Sequence, residues 1–293
     1  MYDIIIVGAG PAGMTAAIYA LRANKKVLIF EAKNYGGQLL AASKIENYPG
    51  IDEITGVDLA QNMYEQAKKL GAEFKFETVI KIGDDNTVIT NKGEYKTKTV
   101  ILAIGSKNRK LNIEGEDKFL GKGLSYCATC DGNFFKGKVV AVVGGGNTAL
   151  EDAIYLSDIA SKVYLIHRKD EFRAENKYVD EVSTKDNIEC IMNSNVISIE
   201  GETSISSITL DNGTKLDVSG LFIAVGQEPN SSIFKDFIEL DDKGYIISSD
   251  GVHTNRDKVY VAGDARVKTL RQIVTATSDG AMAAITAIKE MGN

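Results

Sequence analysis

Read by polarity alone, the chain repeats itself. Residues 4–31, IIIVGAGPAGMTAAIYALRANKKVLIFE, and residues 140–167, VAVVGGGNTALEDAIYLSDIASKVYLIH, align without a gap at a constant offset of 136 positions. Each opens on a β-branched run (4–7 and 139–143) without polar alternation, the pattern of a parallel strand buried on both faces. A glycine-rich turn, a stretch of helical period and a second apolar run follow. The pattern therefore predicts strand, turn, helix and strand, twice. GVDLAQNMYEQAKKLGA carries helical periodicity, with Gly71 placed to end it. FKFETVIKI and NTVITNKGEYKTKTV predict strands and a hairpin. VILAIG, ending at Gly105, and LFIAVG, ending at Gly226, are apolar strands running into glycine turns, one late in each half. KVYVAGDA predicts a strand ending at Gly263 and Asp264, and RQIVTATSDGAMAAITAIKEM predicts a buried helix.

The glycines of each repeat carry chemistry as well as shape. Gly8 matches Gly144, Gly10 matches Gly146, and Gly13 matches Ala149. Between a strand and a helix, such residues let the chain turn sharply and let a pyrophosphate approach the helix N-terminus. One G-x-G-x-x-G is a weak signal, because any tight strand–helix turn can produce it. Two copies in the same setting point to two dinucleotide-binding units. The copies differ where nucleotide choice is made. The first ends in Glu31, which suits a ribose diol, as in FAD or NAD. The second ends in His167, followed by Arg168 and Lys169 with Arg173 nearby, a cationic tract that suits the 2′-phosphate of NADP.

Composition changes this picture little. Of 293 residues 44% are hydrophobic and 25% charged, and the net charge is −6, an ordinary globular balance. No run of like charge suggests nucleic-acid binding, and the longest apolar stretch is too short and too interrupted by glycine to span a membrane. Asp3 stands where a signal peptide would carry a basic residue, so a cytoplasmic protein is expected. The three cysteines change the picture more. Cys127 and Cys130 form a C-x-x-C, which serves in zinc sites, structural staples and redox disulfides. Zinc takes four ligands as a rule, and the remaining donors, Cys190, His167 and His253, are scattered; no metal is expected. A structural disulfide is disfavoured in a reducing compartment, which leaves redox chemistry ahead. The pair does not head a long helix, since Gly132 follows closely and a strand begins at Lys138. Fourteen positions separate Cys130 from Gly144, so both are expected on one unit. Cys190, in an alternating segment, reads as a buried small residue, and His253 as an exposed loop residue.

Seven motifs together carry a family resemblance: GAGPAG (8–13), GGQL (36–39), ENYPG (46–50), CATCDG (127–132), GGGNTA (144–149), HRKDEFR (167–173) and AGDAR with RQI (262–273). With these the chain resembles, end to end, the low-molecular-weight bacterial-type thioredoxin reductases. The resemblance implies two Rossmann-like α/β domains, the second inserted in the first: residues 1–113 and 242–293 would bind FAD, and residues 114–241 would bind NADPH and carry the cysteine pair. It also implies a homodimer that passes electrons from NADPH through FAD and the Cys127/Cys130 disulfide to thioredoxin or a thioredoxin-like protein. A related flavin disulfide reductase serving a peroxidase or another partner is the alternative.

By the same resemblance, Gly8, Gly10, Pro11, Ala12 and Gly13 line the FAD pyrophosphate and Glu31 its ribose. Gly37, Gln38 and Asn47 approach the flavin; Gly263 and Asp264 hold the ribityl–phosphate region; Arg271, Gln272 and Ile273 sit near the ring edge. Gly144, Gly145, Gly146, Asn147 and Thr148 hold the NADPH pyrophosphate, with His167, Arg168, Lys169 and Arg173 around the 2′-phosphate. Cys130 is the flavin-side sulfur, Cys127 the exchanging thiol, and Asp131 the acid–base group. The tract departs from the family in one way that matters: Lys169 stands where a second arginine is usual, so one forked donor becomes a point charge.

Overall fold

The structure, a computed structural model, describes residues 1–42 and 44–292. The first segment runs β1 (Tyr2–Val7), α1 (Pro11–Arg22), β2 (Val27–Glu31), α2 (Gly56–Lys69), β3 (Glu73–Phe76), β4 (Val79–Ile82), β5 (Thr87–Thr90), β6 (Glu94–Leu102) and β7 (Ser106–Asn108). The second runs α3 (Glu116–Phe119), β8 (Leu124–Ser125), α4 (Ala128–Asp131), β9 (Val139–Val143), α5 (Asn147–Ser157), β10 (Lys162–Ile166), α6 (Asn176–Ser183), β11 (Ile188–Ile191), β12 (Val196–Gly201), β13 (Ile205–Leu210), β14 (Lys215–Asp217), β15 (Gly220–Ile223) and β16 (Gln227–Pro229). The last adds β17 (Val259–Val261) and α7 (Ile273–Glu290). They make two compact units, one of residues 1–107 with 228–293 and one of residues 108–227.

In the first unit β3-β2-β1-β6 form a parallel sheet, β17 joins the end of β6 in parallel, and the β4–β5 hairpin pairs antiparallel with its beginning. Alternation along β1 divides the core. Ile4 and Ile6 face α1 and α7, while Ile5 and Val7 face Val79, Ile82 and Val88 of the hairpin. The helices pack closely: a Cβ at Gly280 of α7 would lie 2.1 Å from the Ala12 carbonyl oxygen of α1. The second unit repeats the plan. Its parallel sheet runs β11-β10-β9-β15-β8, with Val140 and Val142 facing α5 and Ala141 and Val143 facing the β12–β14 sheet. The β8 strand thus holds, beside β15, the place that β17 holds beside β6.

The chain passes between units at β7 and β16, which pair with each other, earlier than the crossings expected after residues 113 and 241. Apolar side chains account for the difference. Leu111 and Ile113 pack into the core of the second unit, whereas Phe234, Ile238 and Leu240 complete the first.

Two minor expectations are corrected. Cys190 is exposed on β11, which is an edge strand of its sheet. His253 is not a bare loop residue: its Nδ1 lies 2.7 Å from Asp250 and its Nε2 2.7 Å from Glu290 of α7, which also accepts a hydrogen bond from Tyr260. Asp250 first, then Glu290, hold the His253 pKa above its ordinary 6.5, and both carboxylates are held below theirs. The histidine's contribution is therefore complete below about pH 6.5 and fades as pH rises through its raised folded value; the carboxylates' contribution is lost in acid. As pH rises above about 6.5, the wild-type chain should lose stability relative to His253→Gln, by less than about 1 kcal/mol because the groups are partly exposed. Urea melts across that range check this, and parallel curves for the two proteins would count against it.

Candidate active site

The two glycine turns are built alike. At the end of β1, Gly8 takes φ 108°, and a Cβ there would lie 2.3 Å from the Ala103 carbonyl oxygen at the end of β6. At the end of β9, a Cβ at Gly144 would meet the Ala224 carbonyl oxygen at 2.4 Å, after β15. The third small residue closes the turn: a Cβ at Gly13 would come 1.9 Å from the Gly8 carbonyl oxygen. Gly10 and Gly146 differ, since a Cβ at either would meet nothing within 4 Å. Their bare backbone is exposed to a ligand at the start of α1 and α5, as a dinucleotide pyrophosphate requires.

Around the first turn the structure gathers the expected residues of that unit. Pro11 opens α1, and Ala12 packs beneath Gly263. Glu31 accepts hydrogen bonds from the Ala9 and Lys33 amides, both 3.0 Å, and a carboxylate retains lone pairs for a diol. Gly37 lies against Gly10, and the Gln38 side chain donates to the Ser106 carbonyl oxygen at 3.0 Å. Asn47 donates to Gln272 at 3.2 Å; Gln272 caps α7, and Ile273 is its first residue. Arg271 lies 4.1 Å from the Tyr245 ring centroid and donates to the Asp264 carbonyl oxygen. The Asp264 carboxylate has one oxygen, Oδ1, that is buried without a hydrogen-bond partner, and burial pushes its pKa up against the opposing pull of Lys268 and Arg271. A buried orphan acceptor calls for a donor from a bound group, and a ribityl or ribose hydroxyl supplies one.

A set of residues that sequence reasoning missed shapes this loop. Asp279, buried on α7, accepts from the Gly263 amide (3.0 Å), from Arg266 Nε and Nη2 (2.9 and 2.8 Å) and from Lys268 (2.8 Å). Burial raises its pKa, but the hydrogen bonds from Arg266 and Lys268 prevail and hold it below the usual range. The signal was present: an acid among Ala276, Gly280 and Ala283 on the buried face of a helix needs cations nearby. Asp279→Asn is expected to destabilise the chain by about 3 kcal/mol, because two partly buried cations lose their buried counterion. A loss under about 1 kcal/mol in a urea melt would show that the network carries little.

In the second unit the tract 167–173 is tied to the glycine turn. The Arg173 amide donates to the Gly145 carbonyl oxygen at 2.7 Å, and Asn147 exchanges two hydrogen bonds with Glu175 at 2.7 and 2.9 Å. The Asn147 side chain is thus engaged within the protein, while Thr148 is exposed in the first turn of α5. Arg168, Lys169 and Arg173 are all exposed, and among the described residues no carboxylate is paired with them. His167, expected beside them at the 2′-phosphate, is buried where they are exposed. It is 4% exposed, stacked on Phe172, and lies directly beneath Gly145, where a Cβ would strike the ring at 2.2 Å. Burial first, then the neighbouring cations, lower its pKa, so it is a neutral support for the turn.

The cysteine pair sits on the same unit. Cys127 caps α4 and is bonded to Cys130, with 5.3 Å between their Cα atoms. The Cys130 amide donates to Cys127 Sγ at 3.2 Å, an arrangement that also favours a thiolate there. Asp131 is half-buried, and burial raises its pKa against a hydrogen bond from Ser125 that lowers it. Tyr126 is turned away onto the buried Glu116, at 2.6 Å.

Comparison with known proteins agrees with this geometry. Residues 2–280 match the family described as pyridine nucleotide-disulphide oxidoreductase. A thioredoxin reductase of Borreliella burgdorferi is 44% identical over 301 residues, covering 99% of this chain and 91% of that one. The bifunctional thioredoxin reductase/thioredoxin of Mycobacterium leprae is 42% identical over 298 residues, and this chain spans 65% of that longer protein, against 98% of its own length. The crystal structure of a thioredoxin reductase from Streptococcus pyogenes superposes with a TM-score of 0.94 at 42% identity, covering 99% of this chain and 97% of that one. Two Rossmann-like plans, a cysteine pair on the inserted one and these likenesses lead to one conclusion: the chain belongs to the pyridine nucleotide-disulphide oxidoreductase family.

Proposed function

We propose that this chain is an NADPH-dependent thioredoxin reductase, a flavoprotein that opens the Cys127–Cys130 disulfide and passes its electrons to oxidised thioredoxin. The observation that carries the reading is the placement of a closed C-x-x-C, with a half-buried acid next to it, on the same unit as a glycine turn flanked by three exposed cations. In this reading residues 1–107 and 228–293 hold FAD, through Gly8, Gly10, Pro11, Ala12, Gly13, Glu31, Gly37, Gln38, Asn47, Gly263, Asp264, Arg271, Gln272 and Ile273. When bound, FAD supplies a two-electron carrier between the nicotinamide and the disulfide. Residues 108–227 hold NADPH, with Gly144, Gly145, Gly146, Asn147 and Thr148 at the pyrophosphate and Arg168, Lys169 and Arg173 at the 2′-phosphate.

The chain's own groups then divide the remaining work. The Cys130 amide steadies the sulfur of Cys127 as a thiolate, which attacks the disulfide of the partner protein. Asp131 gives and takes the proton that converts thiolate to thiol. No helix among the described residues is long and apolar enough to cross a membrane. The protein is proposed to work in the cytoplasm as a homodimer; the exposed Val274, Met282 and Ile285 of α7 offer it an apolar surface. Purified protein should be yellow, bleach with NADPH without oxygen, and reduce thioredoxin in steady turnover. A colourless protein that takes up no FAD would overturn the reading. Yellow protein that bleaches yet leaves thioredoxin oxidised would instead favour a flavin disulfide reductase with another partner.

A further inference from the structure

We propose that Ser125 is the positioning residue of the proton relay, holding the Asp131 carboxylate at the cysteine helix and re-aiming its own hydroxyl proton whenever Asp131 changes protonation state. This rests on the reading of Asp131 as the acid–base group. Ser125 is buried on β8, two residues before Cys127, and its Oγ has three polar neighbours. The Cys127 amide donates to it at 3.0 Å, Asp131 Oδ2 lies at 2.6 Å, and the Cys127 carbonyl oxygen lies at 3.3 Å.

A hydroxyl has one proton and two lone pairs. The Cys127 amide occupies one lone pair permanently, so one proton and one lone pair remain for two neighbours. When Asp131 is ionised it only accepts, and the hydroxyl proton points to Oδ2; a separation of 2.6 Å is that of a charge-assisted bond. When Asp131 is protonated on Oδ2, the acid donates to Oγ and the hydroxyl proton turns to the Cys127 carbonyl oxygen. Both states are satisfied by the same heavy-atom positions. The proton can therefore come and go without moving the backbone that carries the sulfurs.

The balance of the step fits this arrangement. Opening the Cys127–Cys130 disulfide takes two electrons, supplied in the proposed reaction by NADPH, and leaves two thiolates. A proton from Asp131 converts one thiolate to a thiol and leaves Asp131 ionised; the reverse transfer restores both when the disulfide closes again. Burial opposes the charge on Asp131 and the Ser125 hydrogen bond supports it. The other titratable groups around it are few. Cys127 and Cys130 share its helix, and Tyr126 is committed to Glu116. Packed against α4, α5 brings Tyr155, whose ring would lie 3.0 Å from a Cβ on Gly132, and one turn earlier Asp152, which burial pushes up to about 7 with a contribution from exposed Glu151.

The test is iodoacetamide alkylation of the chemically reduced protein across pH, read by mass spectrometry on the peptide carrying Cys127 and Cys130 so that exposed Cys190 does not interfere. Asp152→Asn, run alongside, identifies any inflection that belongs to Asp152. Ser125→Ala should move the Asp131 inflection upward by about one pH unit, the worth of one hydrogen bond to a charged group. Ser125→Thr, which keeps the hydroxyl, should restore the wild-type profile. In an Asp131→Asn background, Ser125→Ala should add no shift. A Ser125→Ala profile that superimposes on wild type, or a shift that survives in Asp131→Asn, overturns the proposal, as does a rate change equal at every pH, the signature of a merely structural serine. Should Ser125→Ala fail to fold, Ser125→Gly takes its place with the same outcomes. Failure of wild-type protein to reduce thioredoxin would remove the functional reading, while the alkylation profile would still decide the part played by Ser125.

Discussion

Cys127→Ser and Cys130→Ser are each expected to abolish thioredoxin reduction while leaving FAD bound and reducible by NADPH. The two sulfurs form one bond in unit 2, and neither has a substitute. Cys190 lies on β11 at one edge of the sheet and the pair follows β8 at the other, four strand spacings or about 19 Å away. The residues proposed for FAD, by contrast, belong to the other unit. Turnover with thioredoxin and a chromogenic disulfide, beside an absorbance spectrum before and after anaerobic NADPH, checks both halves. Appreciable turnover in either variant would mean that electrons do not pass through this pair.

Removing Arg168, Lys169 and Arg173 together, each replaced by Ala, should raise the Michaelis constant for NADPH by roughly a hundredfold and that for NADH little. A hydrogen bond to a charged group is worth about 1.5–3 kcal/mol, but exposed cations keep only about 1 kcal/mol each against solvent and salt. Three such contacts sum to about 3 kcal/mol, and each 1.4 kcal/mol is a factor of ten. The effect should shrink as salt is added, since the charges are solvent-facing. Equal losses for both nucleotides would show that the tract supports the glycine turn and does not read the phosphate. Lys169→Arg is informative beside it, since a forked donor in that place should tighten NADPH binding modestly.

What could be read from the letters, and what could not, follows from where each constraint originates. The glycine turns were legible because a bare Cα is the only solution where a Cβ would strike a carbonyl oxygen, as at Gly8 and Gly144. The strands were legible because burial on both faces leaves no polar alternation, and the pairing of β5 with β6 followed from the turn at Asn91 to Gly93. The exact crossings were not legible. Phe234 and Ile238 have the same apolar character whichever core they join, and only packing decides. The same limit hid His253, whose partners Asp250 and Glu290 stand on separate elements, and the true place of His167, set by a ring passing beneath Gly145. Asp279 and Ser125 were missed for a related reason. Each acts by holding a residue that does carry a motif, so its own letter stands outside every motif.

The discontinuity of the first unit has a consequence for the order of events during synthesis. Residues 108–227 contain a complete parallel sheet with its covering layers, so this unit has every contact it needs once residue 227 has left the ribosome. The first unit does not, although its chain begins earlier. The face formed by α1, Ile4 and Ile6 is covered by α7, and β6 waits for β17. Until residues 259–290 emerge, Ala12, Ala16 and Ala17 have no partner helix, and the β1–β6 sheet exposes one apolar side. The usual N-terminal-first sequence is thus inverted, and the closing contacts have long loops to span, which slows them. The vulnerable nascent species is the first unit with its insert already folded, and a chain truncated before α7 should be the form that engages chaperones and aggregates.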